Sequence, residues 1–398
     1  ASVMLSSLRQ STSLLGTSSV ITRRLFSASA MHEFEFTTPY LTHKLDSEPA
    51  MSATCSSEEM LALYRSMLTM QRLEIVADNM YKDKHIRGFC HLYLGQEAIA
   101  AGMEAAMSRK DYLITSYREH CQQLVRGDTP FRILAELCGK SEGCSKGKGG
   151  SMHMFLTESR FFGGNGIVGA QTALGAGLAF AAHYRKESDV VAYAMFGDGS
   201  ANQGQLYEAL NIAALHKLPL IYVCENNKYG MGTATARSAY EDRYYTRGDY
   251  VPGIRINGMD VLQVKEGMSW AKKWAIANGP LYVELDTYRY RGHSMSDPGI
   301  SYRTRTEVDQ VRQERDPIKM QHNRIVSAGI ATEEELKAMG KEVKKIVDQA
   351  GKQAIAASLP ALSEMYTHVL CDQEEGEGLY IRGCDRVSGY QKGQEIHA

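Results

Sequence analysis

Asp198 and Asn227 stand 29 residues apart, each just beyond an apolar run: Val190–Phe196 for the first, Leu218–Cys224 for the second. If both runs are strands joined by the helical pattern of Gln203–His216, they form a βαβ unit whose parallel strands lie about 4.8 Å apart. Both side chains then emerge at one edge of the sheet, where open α/β sheets bind ligands. A carboxylate, an amide oxygen and a nearby backbone carbonyl suit a hard cation such as Mg(II), which keeps positions open for diphosphate oxygens. Gly197 and Gly199 allow close backbone approach. Ser200 can donate its hydroxyl to a phosphate, and the following helix N-terminus favours an anion.

Other elements must hold this edge in place. Ser56 and Glu59 form a capping box ahead of helically spaced Met60, Tyr64, Met67 and Leu68, which predicts a helix to about residue 82. Gly95–Met107 reads as an alanine-rich helix, and Thr129-Pro130 opens another. A helix over Val261–Ala277 and a strand over Leu281–Thr287 extend the sheet, and Thr332–Glu335 starts a helix to about 357. The expected fold class is α/β, a mostly parallel sheet with helices on both faces. The boundaries read as a leader over 1–30, an irregular arm over 31–55, one domain over 56–358 and a weakly patterned segment over 359–398.

Residues 139–177 contain 11 glycines in 39 positions, several times the usual ~7%. Two phosphate-loop readings compete there. Gly164-Asn165-Gly166-Ile167-Val168-Gly169 matches GxGxxG, but Phe161-Phe162-Gly163 is a poor strand, and Asp189, 20 residues on, opens a strand instead of closing one. Gly143–Lys148 is one residue short of a P-loop and lacks its Ser/Thr, so it is set aside.

Composition removes whole classes. With 45 basic and 46 acidic side chains the chain lacks the basic excess of a general nucleic-acid binder. No stretch of 18 apolar residues predicts a membrane span. The first 32 residues carry Arg9, Arg23 and Arg24 and no acid, and are serine-rich, the composition of a mitochondrial transit peptide. That places the protein in the mitochondrial matrix. The eight cysteines include no CxxC pair, so structural, reduced thiols are expected.

Gly197-Asp198-Gly199, followed about thirty residues later by Asn226-Asn227, resembles the signature of the thiamine-diphosphate-dependent 2-oxo acid dehydrogenases. Further matching stretches are RGFCHLYLGQEA (87–98), SYREH (116–120), GKGGSMHM (147–154), GGNGIVGAQ (163–171), ENNKYGMGT (225–233) and YRYRGHSMSDPG (288–299). Within that family the chain is similar to alpha subunits that use pyruvate; branched-chain counterparts usually lack the SMSDP run. The resemblance implies the thiamine-diphosphate-binding fold and decarboxylation of pyruvate, with the acetyl group passed to a lipoyl carrier. It also implies roles for individual residues. Asp198, Asn227 and the Tyr229 carbonyl would bind Mg(II). Tyr117, Arg118, Gly199, Ser200 and His293 would hold thiamine diphosphate, Arg118 by a bidentate diphosphate contact. The backbones of Gly166 and Val168 would face its aminopyrimidine, accounting for the local glycine density. His91 and His293 would shuttle protons. The activating glutamate would come from a beta subunit in a two-alpha, two-beta heterotetramer. A lipoyl-bearing acetyltransferase, a regulatory kinase and a phosphatase are the other expected partners, with Ser294 and Ser301 as phosphorylation sites. No nucleic-acid or membrane partner is expected.

Overall fold

The computed structural model describes residues 30–367. The expected leader (but for Ala30) and residues 368–398 of the C-terminal segment lie outside them.

In chain order the strands and helices begin with β1 (Met31–Glu35), β2 (Leu41–His43), β3 (Ser52–Ser56), α1 (Ser57–Lys82), α2 (Glu97–Ala106), β4 (Tyr112–Ser116), α3 (His120–Val125) and α4 (Pro130–Leu137). Then come β5 (Phe161–Asn165), α5 (Ala170–Tyr184), β6 (Ala192–Gly197), α6 (Gly204–Leu215), β7 (Leu220–Asn226), the short pair β8 (Tyr229–Gly230) and β9 (Thr233–Ala234), and α7 (Thr235–Ser238). The last are β10 (Gly253–Asn257), α8 (Val261–Asn278), β11 (Leu281–Asp286), α9 (Arg305–Arg315), α10 (Pro317–Ser327) and α11 (Glu333–Ala356).

The main sheet has seven strands in the order β2-β10-β11-β7-β6-β4-β5. All its pairings are parallel except that of β2 with β10. Its central strands are apolar on both faces, as a sheet covered on both sides requires. The two-residue period sorts their side chains into separate cores. Tyr193, Met195, Ile221, Val223, Val283 and Leu285 pack with α1, α2 and α8. Ala192, Ala194, Phe196, Leu220, Tyr222 and Tyr282 pack on the other side with α5 and α6. A third cluster lies between α1, α4 and α11 and the segment leading to α2.

The caps read from the sequence are present, except that the box expected at α1 is one-sided: the Glu59 carboxylate pairs with Lys265 instead of returning to Ser56 N. Ser56 Oγ accepts from Glu59 N, Thr129 caps α4 with Pro130 at its start, and Thr332 and Glu335 form a reciprocal capping box. Two further readings are corrected. The arm is not irregular: β1 and β3 form an antiparallel pair, and β2 joins the edge of the main sheet. Phe161–Asn165, judged a poor strand, pairs in parallel with β4, where Phe161 is buried and its glycines lie close to neighbouring side chains. No helix among the described residues is long and apolar enough to cross a membrane.

Candidate active site

β6 and β7 are parallel neighbours, with Gly197 opposite Glu225, so Asp198 and Asn227 leave the same end of the sheet. The loops after them touch: a Cβ on Gly199 would lie 3.2 Å from Gly230 Cα. Asp198 and Asn227 line a cavity of about 600 Å³. So do Tyr117, Arg118, His91, Gly166, Val168, Gly199, Ser200, Tyr229, His293 and Ser294. Every site residue expected from the sequence therefore converges here except Ser301, which lies in an exposed turn away from the cavity.

The wall carries polar atoms that the protein leaves unpaired. Asp198 Oδ2, Ser200 Oγ, His91 Nδ1 and His293 Nδ1 are buried without a hydrogen-bond partner. Groups of this kind cost free energy unless a ligand satisfies them. Burial pushes the Asp198 carboxyl up to about 6, partly offset by Arg289 and Lys228. A bound cation would hold it ionised. Asn227 donates from Nδ2 to Gln96 Oε1 at 3.0 Å, which turns its Oδ1 toward Tyr229 N and Arg289. One carboxylate, one amide oxygen and the Tyr229 carbonyl form a hard oxygen set that fits Mg(II). Among the described residues no group of three or more His, Cys, Asp or Glu offers another metal site.

His91 and His293 approach edge to face, with ring centroids 5.2 Å apart, and Tyr117 lies 4.4 Å from His91. Burial, then Arg118 and His293, depress the His91 ring to about 2. Burial, then Arg118 and Arg289, depress His293 to about 4. Both imidazoles are therefore neutral at neutral pH, each with one nitrogen able to accept a proton and one able to donate. Arg118 donates to Leu92 O at 2.6 Å and to His293 O at 2.9 Å, so its guanidinium bridges the two histidine-bearing loops.

Sequence reasoning missed two residues of this wall. Buried Arg289 donates to Asn227 Oδ1 at 3.4 Å and to the Tyr229 carbonyl at 3.2 Å. A cation bound by those oxygens would share them with a guanidinium. Glu225 lines the cavity and accepts from Tyr93 OH; burial raises it to about 7. Its place at a strand end directly before Asn226-Asn227 was the available signal. Of that asparagine pair, only Asn227 faces the cavity, because Asn226 donates to Glu284 at 2.7 Å.

The glycine density has another cause than ligand approach alone. The carboxylate of Glu136 on α4 accepts from Ser145, Gly147, Gly149 and Gly150 backbone N–H groups at 2.7–3.0 Å. The stretch that looked like a P-loop is thus a cradle for an internal anion. A Cβ at Gly143 would lie 2.3 Å from that carboxylate, and one at Gly164 would lie 2.2 Å from Glu119 Oε2. Within the GxGxxG run, Gly164 makes room for Glu119, and only Gly166 and Val168 line the cavity. That run does follow strand β5 and precede helix α5, the context it was expected to lack. Asp189 nevertheless stands before β6, away from the strand end that carries Asp198.

A model of the dehydrogenase E1 component family matches residues 65–363. The chain is 54% identical over 366 residues to a Solanum tuberosum protein named pyruvate dehydrogenase E1 component subunit alpha, mitochondrial, covering 92% of each chain. It is 50% identical over 366 residues to the Dictyostelium discoideum protein of that name, covering 92% of this chain and 94% of the relative. It is 53% identical over 335 residues to a type I alpha subunit from Ascaris suum, covering 84% and 83%.

Proposed function

The chain belongs to the dehydrogenase E1 component family, and from that premise we propose that it acts in the mitochondrial matrix as the alpha subunit of a pyruvate dehydrogenase. The reaction is oxidative decarboxylation of pyruvate with transfer of the acetyl group to a lipoyl carrier. The observation that carries the reading is the unpaired Asp198 carboxylate oxygen, on the same cavity as the Asn227 amide, Tyr229 and two neutral histidines.

The family is thiamine-diphosphate dependent. When bound, that cofactor supplies the nucleophilic carbon and electron sink that loss of carbon dioxide from a 2-oxo acid requires. Asp198, Asn227 and the Tyr229 carbonyl would hold Mg(II). Gly199, Ser200, Tyr117, Arg118 and His293 would hold the diphosphate end, and the Gly166 and Val168 backbones the aminopyrimidine. The neutral rings of His91 and His293 hold or move a proton at the two Nδ1 atoms left without a protein partner. Arg118 keeps the two histidine loops in register while they do so.

The cavity is unfinished on one side. Phe89, Ile167, Val168 and Met231 are exposed near it, and Leu174, Phe180 and Tyr184 on α5 continue with Ile212 and Leu215 on α6. Large exposed apolar side chains gathered on neighbouring elements mark a protein interface. They support a beta subunit that closes the site and brings the activating carboxylate, with a lipoyl-bearing acetyltransferase as the acetyl acceptor. Ser294 lines the cavity, is 8% exposed and lies 2.9 Å from Ser296 Oγ. A phosphate there would add about −1.5 to −2 charge beside His293 and break that packing. Ser301 is open to a kinase and a phosphatase without such a change.

The test is co-expression with a beta subunit, followed by assay of pyruvate and branched-chain 2-oxo acids. Mg(II)-dependent thiamine diphosphate binding and preference for pyruvate are expected. Preference for a branched-chain acid, or no cofactor binding by the assembled complex, would overturn the proposal.

A further inference from the structure

His91 is carried by a segment with no regular secondary structure: residues 89–93 belong to neither helix nor strand. Its buried backbone groups must nevertheless find partners. Several of them pair with groups distant in sequence. Cys90 O accepts from Met295 N at 2.9 Å, and Leu94 O from Tyr290 N at 3.0 Å. Leu92 O accepts from Arg118. Two of the segment's N–H groups go to side chains that lie outside the cavity lining. His91 N donates to Ser151 Oγ at 3.3 Å, and Tyr93 N donates to Glu74 Oε1 at 3.0 Å.

Those two acceptors are joined by a third residue. His120 Nε2 lies 2.8 Å from Ser151 Oγ, and His120 Nδ1 lies 3.0 Å from Glu74 Oε2. Glu74 and His120 are fully buried, and Ser151 is 6% exposed. Glu74 comes from α1, His120 starts α3, and Ser151 sits in the turn directly after the loop that Glu136 cradles. Since Ser151 Oγ accepts the His91 N–H, its own hydrogen is free for His120 Nε2; Nδ1–H then points to the Glu74 carboxylate. The far end of the segment also reaches the cavity, because Tyr93 OH donates to Glu225.

We propose that Glu74, His120 and Ser151 form a buried positioning chain that sets the place of His91, at one end through the His91 N–H and at the other through the Tyr93 N–H. This rests on the proposed reaction, in which His91 handles a proton. None of the three lines the cavity. A proton-handling ring displaced by about 1 Å costs about a hundredfold in rate, and partners that orient an active group typically contribute 10–100-fold. A serine–histidine–carboxylate chain of this geometry resembles a hydrolytic triad. Here, however, the hydroxyl is shut in and already spent on a backbone N–H.

The chain predicts a particular pattern in the assembled alpha–beta complex. Ser151→Ala should lower kcat on pyruvate about 10–100-fold. KM for pyruvate and the affinity for thiamine diphosphate should stay within about twofold, a split that general loosening would not produce. Ser151→Thr, which keeps the hydroxyl, should recover most of the loss. Glu74→Gln, which keeps the shape and an acceptor oxygen, should lower kcat several-fold and serves if the alanine variant fails to assemble. In the double variant the losses should not multiply, because both act through one chain. Wild-type kcat in Ser151→Ala, a loss of kcat that follows lost cofactor affinity, or full multiplication in the double variant would overturn the proposal. Failure of the wild-type complex to use pyruvate would instead overturn the proposed function and is seen before any variant is made.

Discussion

Two glycine-rich loops of this chain are shaped for an anion, and they are completed differently. The loop at 143–150 closes on the carboxylate of Glu136, which takes four backbone N–H groups, so its anion is supplied by the fold itself. The loop at 197–200 keeps groups that this chain does not pair: Asp198 Oδ2 and Ser200 Oγ stay buried without a partner. Both contain closely spaced glycines with small polar neighbours, and on sequence either invites a phosphate. The difference lies in polar satisfaction. A cradle already filled by a side chain is scaffold, whereas one that leaves costly unpaired groups facing a cavity is where a ligand belongs.

The widest separation between the loops should come from Asp198→Ala. Calorimetry on the complex should show Mg(II)-dependent thiamine diphosphate binding abolished, with turnover down by about a thousandfold or more. The unfolding midpoint of the cofactor-free complex should hold or rise, since an unpaired buried carboxylate has been removed. A clear fall in that midpoint would mean Asp198 is scaffold after all.

Glu136→Ala should do the reverse. Removing the acceptor of four N–H groups should cost about 3 kcal/mol, read as a lower urea midpoint, while cofactor affinity per folded molecule changes little. A loss under about 0.5 kcal/mol would show that water replaces the carboxylate freely and that the cradle is not structural.

Glu97 lies between these extremes: Oε2 accepts from Gly95 N at 3.0 Å, and Oε1 is buried and unpaired. Burial pushes its carboxyl from 4.5 up to about 8. The folded state therefore holds this proton more tightly than the unfolded chain does. The stability this provides is complete below about pH 4.5 and is lost as pH rises through about 8. Glu97→Gln should come close to wild type near pH 5 and exceed it by up to about 5 kcal/mol at pH 9, measured by thermal unfolding at both values. Equal stability at pH 9 would show that the ionised carboxylate finds a partner.

The smallest effect is expected at Asp297. It accepts from His293 N at 2.6 Å, Gly299 N at 2.8 Å and Tyr302 OH at 2.6 Å, which folds the 293–302 loop against the cavity. Asp297→Asn should lower turnover about tenfold and speed proteolytic cleavage in that loop, with cofactor-free stability unchanged. Unchanged proteolysis would mean the loop is held by its other contacts.

The sheet edge that carries Asp198 and Asn227 was legible because its signals are local. The apolar runs ending at Phe196 and Cys224, with the helix between them, specify a parallel pair, and that pair places Asp198 beside Asn227. Caps at Ser56, Thr129 and Thr332 were legible for the same reason, since a cap and its partner lie three residues apart. β5 was not legible: Phe-Phe-Gly-Gly-Asn has little strand character, and its pairing with β4 comes from a segment more than forty residues away. β2, three residues at an edge, depends on β10, some two hundred residues later.

Sequence by itself determined the layered α/β plan and the meeting of Asp198 with Asn227, because spacing along strands and helices fixes which side chains reach one edge; the family, and with it the place of His91 and His293, came from the resemblance of the motifs. Only the tertiary structure decided which glycine loop is filled from within, that Arg289 shares the oxygens of the expected cation, and that Glu74, His120 and Ser151 stand behind His91. Each of these is a hydrogen bond between groups 19 to 62 residues apart, except those of Glu136, whose partners lie within 14. Even that near pairing gives no periodic signal in the sequence. It exists because a buried carboxylate and buried N–H groups must satisfy one another once folding has removed them from water.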